Sequence, residues 1–122
     1  MPLAYLIDPD QRIVVITGEY AKSDDWADLL ARILADPRRQ PGFGFLRDLR
    51  GATTPVDAAA VVEVMGVVRK FWPHLQPSRA AILTPHDVDA AALVAVAVAD
   101  TEHLPFRVFK SHDEATQWLR EG

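Results

Sequence analysis

The segment from Asp48 to Asp57, DLRGATTPVD, gathers residue types from which a site could be built: Asp48, Arg50, Thr53, Thr54 and Asp57. Hydroxyls flanked by carboxylates and a guanidinium can accept a phosphate, or offer hydrogen bonds to a protein partner or a ligand. The same spacing has a plainer use. Thr54 precedes Pro55, and proline is favoured at the first helical position. Thr54-x-x-Asp57 has the form of a capping box. Capping accounts for Thr54 without chemistry, and a phosphate there would approach the Asp57 carboxylate, which opposes it. These five are the candidate partner- or ligand-binding residues.

Other chemistry is thinner. His86, Asp87 and Asp89 cluster in TPHDVD, at a strand-to-helix loop where α/β folds place ligands. Metal binding or general-base work is conceivable, but helix capping explains the aspartates. His74, His103 and His112 fall in different turns, with no His-x-x-x-His pair. Gly42 and Gly44 in PGFGF suggest a phosphate loop, yet they stand before and within a strand rather than between strand and helix. There is no Gly-x-Ser-x-Gly elbow and no P-loop. Arg47, Asp48 and Arg50 sit near a strand end, where charges are solvated or pair locally. The residues show no catalytic constellation, so no catalytic residue, metal site or cofactor is expected.

The elements that must position these residues follow from periodicity. LAYLID (Leu3–Asp8) and RIVVITG (Arg12–Gly18) read as strands of a hairpin around DPDQ. Ser23 is a good N-cap, and Trp26, Leu29, Leu30, Ile33 and Leu34 form one helical stripe that Pro37 ends. FGFLRDL (Phe43–Leu49) is the next strand. The following helix, Val56 to Trp72, buries Val61, Val64, Met65, Val68, Phe71 and Trp72, and Pro73 and Pro77 close it. RAAILTP (Arg79–Pro85) is a strand. The run AALVAVAVA (Ala91–Ala99) alternates like a strand, but its alanine content and its position before DTEHLPF make it a helix. FRVF (Phe106–Phe109) is the last strand, and Ser111-x-x-Glu114 caps a final helix carrying Ala115, Trp118 and Leu119. The order β-β-α-β-α-β-α-β-α predicts a single α/β domain: about five strands, mainly parallel with right-handed crossovers, an antiparallel N-terminal edge hairpin and four helices.

Composition narrows the function classes. The chain has 122 residues, 49% of them hydrophobic and 25% charged, which is globular. A net charge of -4 argues against a nucleic-acid binder. Arg38-Arg39 reads as part of a solvated loop. No cysteine is present, which excludes disulfides and thiol chemistry. The N-terminus has neither the basic start nor the apolar run of a signal peptide. Ala90–Ala99 is too short to span a bilayer. A cytoplasmic protein without integral membrane association is the expectation.

The element order, the length and the DLRGATTPVDAAAV junction resemble the STAS domain, named for sulfate transporters and anti-sigma factor antagonists. The ending FRVFKSHDEATQWL resembles an uncharacterised bacterial subgroup of that superfamily. In anti-sigma factor antagonists a strand ending Asp-Leu leads into a loop and then Asp-Ser-Ser-Gly at a helix start, where a serine is phosphorylated to release a partner. Asp48-Leu49 matches the strand end, and Asp57 matches the loop aspartate with one residue inserted. Ala58 and Ala59 stand at the serine positions and Ala60 at the glycine. The resemblance implies the fold and a partner-binding surface, and it argues against the usual switch.

Two function classes follow. One is a non-enzymatic protein-interaction or regulatory module of STAS type. The other is a small-molecule or lipid binder using a cleft beneath the apolar helices, by analogy with the related Sec14 architecture. Ala90–Ala99 contains no polar side chain, so that helix is either buried or meets a partner. Together with the two-fold preference of oligomers, this leads to the expectation of a homodimer through that face, around Val94 and Val98.

Overall fold

The first two segments, rich in β-branched and apolar residues, form a hairpin: β1 (Ala4–Asp8) pairs antiparallel with β2 (Ile13–Thr17). The Asp8 carboxylate ties the turn by accepting the N–H groups of Asp10 (3.1 Å) and Gln11 (3.2 Å). The chain continues through α1 (Ser23–Ala35), β3 (Gly44–Asp48), α2 (Ala58–Leu75) and β4 (Ala80–Leu83). A helical segment over residues 96–100 (α3), β5 (Phe106–Phe109) and α4 (His112–Glu121) complete it. This computed structural model describes residues 3–18, 22–51, 58–75, 79–84, 96–100 and 103–121.

The sheet has five strands in the order β1-β2-β3-β4-β5, with β2 through β5 parallel. Each parallel strand lies beside its predecessor, so crossovers of one hand return every connection over the same face. Val14, Ile16, Phe45, Ala80 and Ile82 meet α1, α2 and Ala99 of α3 on that face. The alternate residues Ile13, Leu46, Ala81 and Leu83 meet Ala115 and Leu119 of α4 on the other. Three helices thus cover one side and one helix the other. The expected single α/β sheet with an antiparallel N-terminal hairpin and four helices is what forms.

Three local expectations need correction. Ser23 is the first helical residue of α1 rather than its cap. The preceding turn is held instead by Asp25, whose carboxylate reaches back to accept the Lys22 N–H at 2.9 Å. Pro73 does not close α2, which runs on to Leu75. Proline in a helix interior costs about 3 kcal/mol, but Leu75 is only 1% exposed and Arg39 caps its carbonyl at 3.1 Å. Burial and that cap hold the last turn. Arg39 is therefore not part of a solvated loop, while its neighbour Arg38 binds Asp36.

The PGFGF glycines also find their reason. Gly42 has φ 93°, a left-handed conformation that favours glycine. At Gly44 a Cβ would lie 2.9 Å from Leu119 Cδ2 and 3.0 Å from Leu119 Cβ, so the missing side chain lets α4 seat on β3.

Candidate functional site

The pleat of β3 sends Phe45 and Arg47 to the three-helix face and Leu46 and Asp48 to the face of α4. Asp48 is the last residue of the strand, opposite Leu83 of β4. Its carboxylate is grasped from two residues ahead. The Arg50 backbone N–H and Nε donate to Oδ1 at 3.0 and 3.1 Å, and Nη2 donates to Oδ2 at 2.9 Å. The Asp48 side chain is 17% exposed and that of Arg50 50% exposed. The fork holds Asp48 below the ordinary carboxylate range: the Arg50 side-chain hydrogen bonds contribute most, burial opposes, and the His112 charge helps. Arg50 is raised in return.

Asp36-Pro37-Arg38 repeats the arrangement at the end of α1. Arg38 donates from its backbone N–H (2.9 Å), Nε (3.0 Å) and Nη2 (2.7 Å) to the Asp36 carboxylate. Tyr5 Oη donates a further hydrogen bond to it at 2.9 Å. Asp-x-Arg is therefore a turn device that this chain uses twice. At Asp48 it fixes a charged pair at the C-terminal rim of the sheet, where open α/β sheets place their ligands.

Arg47, beside this pair, reads in the sequence only as a strand-end charge. Its Nη2 donates to the Gly18 carbonyl at 2.6 Å and its Nη1 to the Ile16 carbonyl at 3.3 Å. Its guanidinium lies over the Trp26 ring, 5.2 Å from the centroid. Burial pulls its pKa down to about 10, against a small opposing pull from Asp48, so it stays charged at neutral pH. It clamps β2 and α1 to β3. The available signal was its place inside an apolar strand segment.

Of the five candidate residues the structure thus brings Asp48 and Arg50 together. Thr53, Thr54 and Asp57 lie outside the described residues, as do His86, Asp87 and Asp89 and most of Ala90–Ala99. Within the described end of that run, Val96 and Val98 pack on the core, Ala99 is fully buried and Ala97 is exposed. No group of three or more metal-ligating side chains occurs among the described residues. Nor is any described helix long and apolar enough to cross a membrane. Comparison with protein-family models, with curated proteins and with solved structures finds no match to this chain.

The fork predicts a pH dependence. Because the folded-state pKa of Asp48 is depressed, its contribution to stability is present above the ordinary carboxylate range and is lost as pH falls through the folded value. Asp48→Asn should lower stability at pH 7 by about 0.5–1 kcal/mol, the range of a partly exposed pair. The deficit should shrink towards pH 2–3 in urea titrations of the two proteins. An equal deficit at both pH values would show that the charge of Asp48 is immaterial.

Proposed function

We propose that this protein is a non-enzymatic interaction module of STAS type, docking a protein partner at the rim that carries Asp48 and Arg50. The observation behind the reading is the framing of one junction: β3 ends at Asp48 and α2 opens at Ala58. The resemblance assigns partner contact to this junction, and the Arg50 fork presents a fixed, partly exposed charge pair there. With Ala58 and Ala59 at the helix start, partner release by serine phosphorylation is not available to it. Binding is then set by the surface itself, not by a covalent switch.

The small-molecule or lipid reading gains no comparable support. The Trp72 ring packs 6.3 Å from Phe45 and 5.3 Å from Phe106, within the core beneath α2.

The test combines mass and affinity. A panel of anti-sigma kinases is incubated with the protein and ATP, then binding is measured by interferometry. Intact mass should be unchanged, and at least one kinase should bind. Arg50→Glu should weaken that complex by roughly tenfold or more, since opposed like charges at an interface cost several kcal/mol. If no panel member binds, or if Thr53 or Thr54 takes up phosphate and binding changes with it, the proposal is overturned.

A further inference from the structure

The two edges of the sheet are built differently. At the β5 edge Arg107 is exposed in the middle of the strand and Lys110 follows it, the kind of charge that keeps other chains away. Among the described residues the β1 edge has no such guard. Its five residues, AYLID, carry no charge before Asp8. They pair with β2 without a bulge from Ala4 opposite Thr17 to Asp8 opposite Ile13. At the centre stands Leu6, 64% exposed. An apolar edge paired without a bulge offers a row of backbone donors and acceptors to another strand.

We infer that this edge pairs with the β1 edge of a second copy, antiparallel about a two-fold axis through Leu6, giving one continuous ten-stranded sheet. The sequence of β1 is complementary to itself in this register. Leu6 falls opposite the partner's Leu6, Tyr5 opposite the partner's Ile7, and Ala4 opposite the partner's Asp8. No like charges meet. A parallel pairing in register would set Asp8 against the partner's Asp8, which is unfavourable. Leu6 already neighbours Val15, its half-buried partner on β2. Pairing therefore joins two Val15–Leu6 patches into one apolar strip on the face of the sheet that carries α4. On the other side an aromatic residue meets a β-branched one, a favourable cross-strand pair. An isologous contact of this kind closes on itself and needs no further subunit. This seam differs from the one expected around Val94 and Val98, and the inference is independent of the regulatory reading above.

The absence of cysteine from the chain makes the test clean. Directly opposed residues of an antiparallel pair have Cα atoms about 4.5–5.5 Å apart, within disulfide range. Leu6→Cys should therefore oxidise rapidly to a covalent dimer. Val62→Cys, on an α2 residue that is 52% exposed, should cross-link only slowly. A strand-edge contact is small, so self-association of the wild type should be in the micromolar range, visible by sedimentation between about 1 and 300 μM. Leu6→Lys sets two like charges across the axis and should weaken association roughly tenfold or more with the fold intact by circular dichroism. A wild type that stays monomeric over that range overturns the inference. So does Leu6→Cys cross-linking no faster than the Val62→Cys control.

Discussion

Trp72→Ala should cost about 3–5 kcal/mol in urea or thermal unfolding, the largest loss expected from a single truncation in this protein. Trp72 is 3% exposed and joins Phe45 of β3 to Phe106 of β5 beneath α2. Removing it withdraws two ring contacts and opens a cavity that the surrounding strands cannot close. Trp72→Phe should behave very differently. The indole Nε1 is buried without a hydrogen-bond partner among the described residues, and an unsatisfied buried donor carries a penalty of about 1–3 kcal/mol. Phenylalanine keeps a ring between the two neighbours and removes that donor. The lost volume and the relieved penalty oppose one another, so its stability should fall within about 1.5 kcal/mol of wild type. If Trp72→Phe proves as damaging as Trp72→Ala, the N–H has an acceptor and the account of this core is wrong.

Gly44→Val should be nearly as severe, through overpacking instead of loss. The added Cβ would meet Leu119 at 2.9, 3.0 and 3.3 Å, and valine adds two further methyl groups to that crowded position. Overpacking of a dense core costs about 1–3 kcal/mol and occasionally more, and valine here belongs at the upper end. Gly44→Ala should cost less and should couple to Leu119→Ala. Truncating Leu119 removes its Cγ and Cδ2 from the clash, so the double variant should be more stable than the sum of the single losses predicts, by about 0.5–3 kcal/mol. Strict additivity in that cycle would mean that α4 is not seated on Gly44.

How much of this was legible beforehand differs between elements. FRVF reads as a strand over Phe106–Phe109, and those are the observed bounds. The α1 stripe is equally direct: Leu29, Leu30 and Ile33 recur at helical spacing and are all buried. Where the sequence misleads, a local rule is overridden by a contact from far along the chain. Pro73 is a helix breaker by propensity, yet the burial of Leu75 and the Arg39 cap, 36 residues away, keep the last turn. Gly44 belongs to a glycine pattern that hints at phosphate, and only the position of Leu119 shows it to be a packing residue. At the candidate site, Asp48 and Arg50 could be named as local partners. Arg47 could not be seen as a clamp, because its acceptors, Ile16 and Gly18, lie on a different strand segment.

Periodicity, caps and turn residues by themselves determined which segments are strands and helices and in what order they come, because those signals act over a few neighbouring residues. Alternation of the elements then determined a mainly parallel sheet. Tertiary structure alone decided that the strands stand in sequential order, with three helices on one face and one on the other. It alone decided which strands stand at the edges of the sheet. Those outcomes depend on where each crossover returns and on which side chains meet across it. A strand such as AYLID has the same residues whether it ends a sheet or lies within one, and only its neighbours make Leu6 a buried side chain or an exposed one.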